Sequence, residues 1–140
     1  MKKLFLILLM AFATIMPFKA QAQFDPVKWA FSIQEVDEKE FDLVATATVD
    51  PAFHIYSTKM PGLGPNPIVF EFEPSKDFEL VGEARDVSEG EKFYDDIFEV
   101  EYVQFKGTAI YAQRLKKLTD DAFMVMGAIS GQSLDRKSVV

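Results

Sequence analysis

The chain reads as an all-β protein, an immunoglobulin-like β-sandwich of about seven to eight short antiparallel strands. Three observations carry this. Apolar residues recur with a period of two in one run after another. Clusters of Pro, Gly, Asn, Asp and Ser separate the runs. Residues 23–140 hold no stripe with a 3.6-residue period, no internal repeat and no low-complexity linker.

In chain order, the first segment is not expected to belong to the fold. Lys2 and Lys3 precede an apolar run from Leu4 to Met16, and Ala20-Gln21-Ala22 is a small-x-small cleavage signature. Residues 1–22 are therefore expected to be an export signal, and 23–140 a single domain beginning at Gln23. No later stretch reaches the ~20 apolar residues of a membrane-spanning helix. The expected product is soluble, periplasmic or secreted, with no membrane span after signal removal.

Trp29, Phe31 and Ile33 alternate with Lys28, Ala30 and Ser32; Phe41, Leu43, Ala45, Ala47 and Val49 alternate with Asp42, Val44, Thr46 and Thr48. Ile68, Phe70 and Phe72 follow the same rule, then Phe78 and Leu80. Runs at 98–106, 108–115 and 122–130 complete the set, with a phase slip between Tyr102 and Val103 that reads as a β-bulge. Turn signals lie between them at Asp50-Pro51, Pro61-Gly62, Gly64-Pro65-Asn66-Pro67, Glu73-Pro74-Ser75 and Ser88-Glu89-Gly90. About seven short strands so spaced make an immunoglobulin-like sandwich.

Composition narrows the function classes. The net charge is −7 for the whole chain and becomes −10 once the three lysines of the signal are removed. So acidic a surface repels nucleic acid and anionic lipid, and neither is expected as a partner. There is no cysteine. Small exported domains often rely on disulfides; this one must rely on packing, for which 14 Phe and one Trp are the material.

The candidate sites are few. His54 is the only histidine, and its neighbours Phe53, Ile55 and Tyr56 suggest a structural or surface place at a strand edge. Glu71 with Glu73 and Glu99 with Glu101 alternate along strands, as on a solvated face. Asp95-Asp96 lacks the spaced acidic loop of a calcium site. No metal and no cofactor is expected. Phe93 and Tyr94 stand among Glu89, Glu91, Lys92, Asp95 and Asp96, as expected of an exposed loop with an aromatic tip. That tip would be either a partner contact or a pair of rings folded back onto the core edge.

The end of the chain, Gly131 to Val140, carries a resemblance. Its segment Gln132-Ser133-Leu134-Asp135-Arg136-Lys137-Ser138-Val139 resembles the redox turn of the periplasmic amino-terminal domain of DsbD, the thiol–disulfide interchange protein. That family reads a cysteine, four mostly polar residues and a second cysteine; here Leu134 and Val139 hold those positions. Pro26-Val27-Lys28-Trp29, Asp50 to Ser57, Phe93-Tyr94-Asp95 and Gly127 to Ser133 are similar to further family segments. The resemblance implies a hairpin with Leu134 facing Val139 across Asp135–Ser138. It places Tyr56 near that pair and Phe93 and Tyr94 in a cap loop over it. It also implies a final strand after Val139, so stopping at Val140 is expected to leave the 122–133 strand as an open apolar edge. That edge would form a strand-edge homodimer or accept a strand from a partner.

Thiol–disulfide exchange needs a thiolate and a sulfur leaving group, and the chain supplies neither. No catalytic residue is therefore expected in the chain as given. The resemblance implies a protein-binding module in or beside periplasmic thiol–disulfide interchange, with a thioredoxin-like or other exported protein as partner. Two alternatives stay open: a fragment or variant of a cysteine-bearing interchange protein, and a structural or adhesive sandwich unrelated to redox chemistry.

Overall fold

The computed structural model describes residues 25–131 and the backbone of 136–139. The expected signal, residues 1–22, and Leu134 lie outside the described residues. Ten strands follow in order: β1 (Val27–Glu35), β2 (Glu40–Val49), β3 (Ile55–Tyr56), β4 (Val69–Phe72), β5 (Phe78–Asp86), β6 (Glu91–Asp95), β7 (Val100–Phe105), β8 (Thr108–Lys117), β9 (Met126–Ser130) and β10 (Arg136–Val139). All pairings are antiparallel, in three sheets ordered β1-β2-β8-β5, β10-β9-β4 and β3-β7-β6. The four-stranded sheet is one layer; the two smaller sheets together cover its inner face. One core cluster joins Ala45, Ala47, Ala109 and Tyr111 of the large sheet to Ile55 and Phe105 on one side and Ile129 on the other. The expected all-β, immunoglobulin-like sandwich is the fold, with ten strands among the described residues rather than seven or eight.

The period of two in β2 does what it forecast. Phe41, Leu43, Ala45, Ala47 and Val49 are all buried on one face. The two alanines are small for a reason that pairing reveals. Ala45 is opposite Phe31 and Tyr111, and Ala47 is opposite Trp29. Tyr111, fully buried, has ring contacts with Trp29, Phe70 and Phe105 at centroid distances of 5.9, 6.4 and 5.7 Å. Small residues beside large ones let three aromatic side chains share one layer.

Three expectations are corrected here. The β-bulge is not in β7, whose register with β6 runs without a break from Glu91↔Gln104 to Asp95↔Val100. The mixed phase there arises because both faces of β7 are covered: Val103 and Phe105 face the core, Tyr102 and Gln104 are buried on the other side. The register shift lies in β5, between Val81 and Arg85. Gly82 takes a positive φ of 70°, and the Gln113 side-chain amide donates to its carbonyl at 3.1 Å.

The second correction concerns the last strands. β9 begins at Met126, not Ala122, because Phe123 turns inward to stack on Phe78 at 5.9 Å. Nor is β9 an open edge. It is the middle strand of its sheet, between β4 and β10. The chain supplies its own last strand, so the premise for a homodimer through β9 is removed.

The third correction follows from the same pairing. Arg136 to Ser138, read as turn, is strand, and Val139 pairs with Met126. The cross-strand place opposite Val139 is thus held by Met126; Leu134, its expected partner, lies outside the described residues.

A candidate docking surface on the β3-β7-β6 sheet

The small sheet β3-β7-β6 carries a row of rings on its outer face. Tyr56 of β3 is paired with Gln104 of β7, and Phe93 of β6 with Tyr102 of β7. Side chains two apart on β7 share a face, so Tyr56, Tyr102 and Phe93 lie side by side. Their centroids are 5.6 Å apart for Tyr56–Tyr102 and 5.3 Å for Phe93–Tyr102. His54 extends the row at 5.3 Å from Tyr56, edge to face, and its Nε2 is 2.9 Å from the Tyr56 hydroxyl. Burial, with Tyr102 beside it, pushes the Tyr56 hydroxyl pKa up; burial, with Asp95 near, does the same for Tyr102. Both phenols stay neutral at neutral pH and can donate hydrogen bonds.

The row is anchored from the layer beneath. The Tyr111 hydroxyl donates to the Tyr56 carbonyl at 2.7 Å, tying β3 to the large sheet. At the next residue the Ser57 hydroxyl donates to Asp86, and Thr58 donates to Asp86 through its N–H and its hydroxyl, both at 2.9 Å. Ser57 is buried and its carboxylate partner is occupied by Thr58, while His54 is engaged with Tyr56. These groups form a structural clamp and not a nucleophile with a base.

Beyond the row, β6 and β7 close in a hairpin across Asp96–Glu99. Asp95 Oδ1 accepts from the N–H groups of Ile97 (2.8 Å) and Phe98 (3.0 Å), and Glu99 adopts a left-handed φ of 54°. This turn holds Ile97 out at the apex, 87% exposed, with Phe98 half exposed beside it. Phe98 leans over Gly64, in the proline-rich segment where a positive φ of 93° suits glycine.

The predicted site residues are brought together only in part. Tyr56 and Phe93 join one row, and Phe93 is 43% exposed. Tyr94 points to the opposite face, opposite Glu101, and is 57% exposed. Both aromatics belong to a strand rather than to a loop, because each has a cross-strand partner on β7. The side chain of Val139 and all of Leu134 lie outside the described residues. Sequence reading missed Ile97, Phe98 and Tyr102. A signal for the first two was present: an apolar pair set alone between Asp95-Asp96 and Glu99, with aspartate placed to cap a turn. Among the described residues no three His, Cys, Asp or Glu side chains gather as metal ligands would.

No family profile matches this chain, and no curated protein does. Two solved structures from Neisseria meningitidis are similar in part. One is the complex between the DsbD N-terminal and PilB N-terminal domains: 14% identity and a TM-score of 0.46 over 90% of this chain and 84% of that one. The other is the DsbD N-terminal domain in the reduced form, with 14% identity and a TM-score of 0.44 over 93% of this chain and 91% of that one.

Proposed function

We propose that the protein is an exported, cysteine-free binding module that docks a protein of the thiol–disulfide interchange system through the β6–β7 hairpin. One observation carries the docking role. Phe93, Tyr94, Ile97 and Phe98 stand out from a single hairpin whose base is tied into the fold. An isolated domain gains nothing from an apolar side chain held in water, whereas aromatic and apolar anchors of this kind concentrate binding energy at protein interfaces. The redox setting rests on the sequence resemblance of the terminal segment and of the segments around Tyr56 and Phe93. With no cysteine in the chain, the role is to hold a partner and not to exchange electrons with it.

The test uses a purified thioredoxin-fold domain as probe, with affinity read by calorimetry. Ile97→Ser with Phe98→Ser should weaken binding by about tenfold or more, in the range of a lost hot spot. The thermal midpoint should stay within a few degrees, since neither side chain is part of the core. Unchanged affinity in the double variant would sink the docking role. Insulin reduction above a no-protein control would sink the redox-inactive role.

A further inference from the structure

Among the described residues six strands lie at sheet edges, and five of them carry features that discourage pairing with another chain. β5 is broken by its register shift around Gly82 and lined with charged residues. β3, β4, β6 and β10 are two to five residues long, and the last three of these contain charged residues. β1 differs. It runs for nine residues in unbroken register with β2, without proline, and without charge from Trp29 to Gln34. The ladder also shows which of its backbone groups are open. The Asp50 N–H donates to the Pro26 carbonyl at 2.7 Å and the Val36 N–H to the Glu40 carbonyl at 3.0 Å, both in step with the β1–β2 register. Backbone groups point to alternate sides along an antiparallel strand, so the even-numbered residues of β1 bond to β2. The N–H and C=O groups of Trp29, Phe31, Ile33 and Glu35 therefore face the free edge, where no described residue meets them.

We infer that β1 pairs antiparallel with β1 of a second copy of this chain, about a two-fold axis at Phe31, and joins the two four-stranded sheets into one. The sequence of β1 is complementary to itself in this register. Phe31 is the middle residue of the strand, so an axis there pairs all nine residues: Val27 with Glu35, Lys28 with Gln34, Trp29 with Ile33, Ala30 with Ser32, and Phe31 with itself. Opposed residues share a face, so the inner faces of the two sheets run on without a break and open amides meet open carbonyls. No like charges are opposed. Ile33, 53% exposed in the single chain, gains an aromatic cross-strand neighbour in Trp29 of the partner subunit, a pairing that stabilises sheets. Each copy is acidic, so raising the salt concentration screens their repulsion and favours the dimer. This edge is separate from the hairpin and does not depend on the docking role.

Sedimentation velocity across a concentration series should show a monomer–dimer equilibrium with a micromolar dissociation constant, shifted toward dimer by salt. Ile33→Pro removes an N–H that faces the free edge and none that bonds to β2, and edge strands accept proline at such places. It should weaken the dimer about tenfold or more, since two symmetry-related hydrogen bonds are lost. Ile33→Lys, which puts a charge on the edge without touching the backbone, should do the same and guards against a fold defect in the proline variant. Thermal melts in dilute solution establish that both fold. Register is read by crosslinking, because the chain has no cysteine of its own. Ala30 and Ser32 would be opposed at a non-hydrogen-bonded position, with Cα atoms ~4.5 Å apart, within the span of a disulfide. Ala30→Cys protein mixed with Ser32→Cys protein should therefore crosslink in air faster than either variant alone. The inference is overturned by a monomer throughout the series, by dimerisation that both Ile33 variants leave unchanged, or by either cysteine variant crosslinking with itself as fast as the mixture does.

Discussion

Asp42 lies on the outer face of β2, where alternation places a solvated residue, yet its side chain is almost wholly covered. Arg114, directly opposite on β8, donates to its two oxygens at 2.8 and 3.1 Å; Arg85 of β5 adds a contact at 2.8 Å. The Arg114 hydrogen bonds chiefly, and those of Arg85, outweigh the opposing effect of burial and hold the carboxyl near pKa 2, below its ordinary 3.8. That difference corresponds to roughly 2 kcal/mol at ~1.36 kcal/mol per unit. The guanidinium side chains are 42% and 31% exposed, so screening by water reduces the expected contribution to about 1–2 kcal/mol. The sign is that of a depressed carboxylate. The contribution is full above pH ~4 and is lost as pH falls through ~2. Asp42→Asn should therefore lower stability by about 1–2 kcal/mol at pH 7, roughly 5–10 °C in midpoint. The gap between variant and unmodified protein should close between pH 4 and 2. Urea unfolding of both proteins across that range is the assay. A gap that stays constant with pH would refute the assignment, because the other carboxylates titrate alike in the two proteins.

Three further outcomes are expected. A Cβ at Gly127 would overlap the Glu71 carbonyl oxygen across the β4–β9 pairing, so Gly127→Ala should cost about 2 kcal/mol or more by chemical unfolding; a neutral result would refute the register. Glu99, at a left-handed φ, should accept Asn at no cost or with a gain of up to ~1 kcal/mol, whereas Val should cost about 1–2 kcal/mol; thermal melts of the two variants compare them. Met126 and Val139 are cross-strand partners, and directly opposed residues lie within the ~4.4–6.8 Å between Cα atoms that a disulfide spans. Met126→Cys with Val139→Cys should therefore close a disulfide in air, read by mass spectrometry; free thiols persisting under oxidising conditions would refute the β9–β10 register.

How much of this was legible beforehand depends on what alternation can and cannot report. A period of two assigns each residue to a face, and the inner face of β2 was legible residue by residue from Phe41 to Val49. The absence of a thiol was legible too, and with it the loss of exchange chemistry. Alternation does not say what covers a face. Asp42 and Gln104 point away from the main core and are still buried, Asp42 because Arg85 and Arg114 close over it. Nor does it say which strands pair. β6 was not predicted because Glu91, Lys92 and Asp95 dilute its aromatics, and only pairing with β7 makes it a strand. The row from His54 through Tyr56 and Tyr102 to Phe93 joins residues from three strands, distant in sequence and adjacent only through register. Composition and local pattern thus determined the fold class and the inner faces, since burial of apolar side chains is set by the residue itself. Tertiary structure decided the outer faces and the site, since those depend on neighbours brought near by strand order.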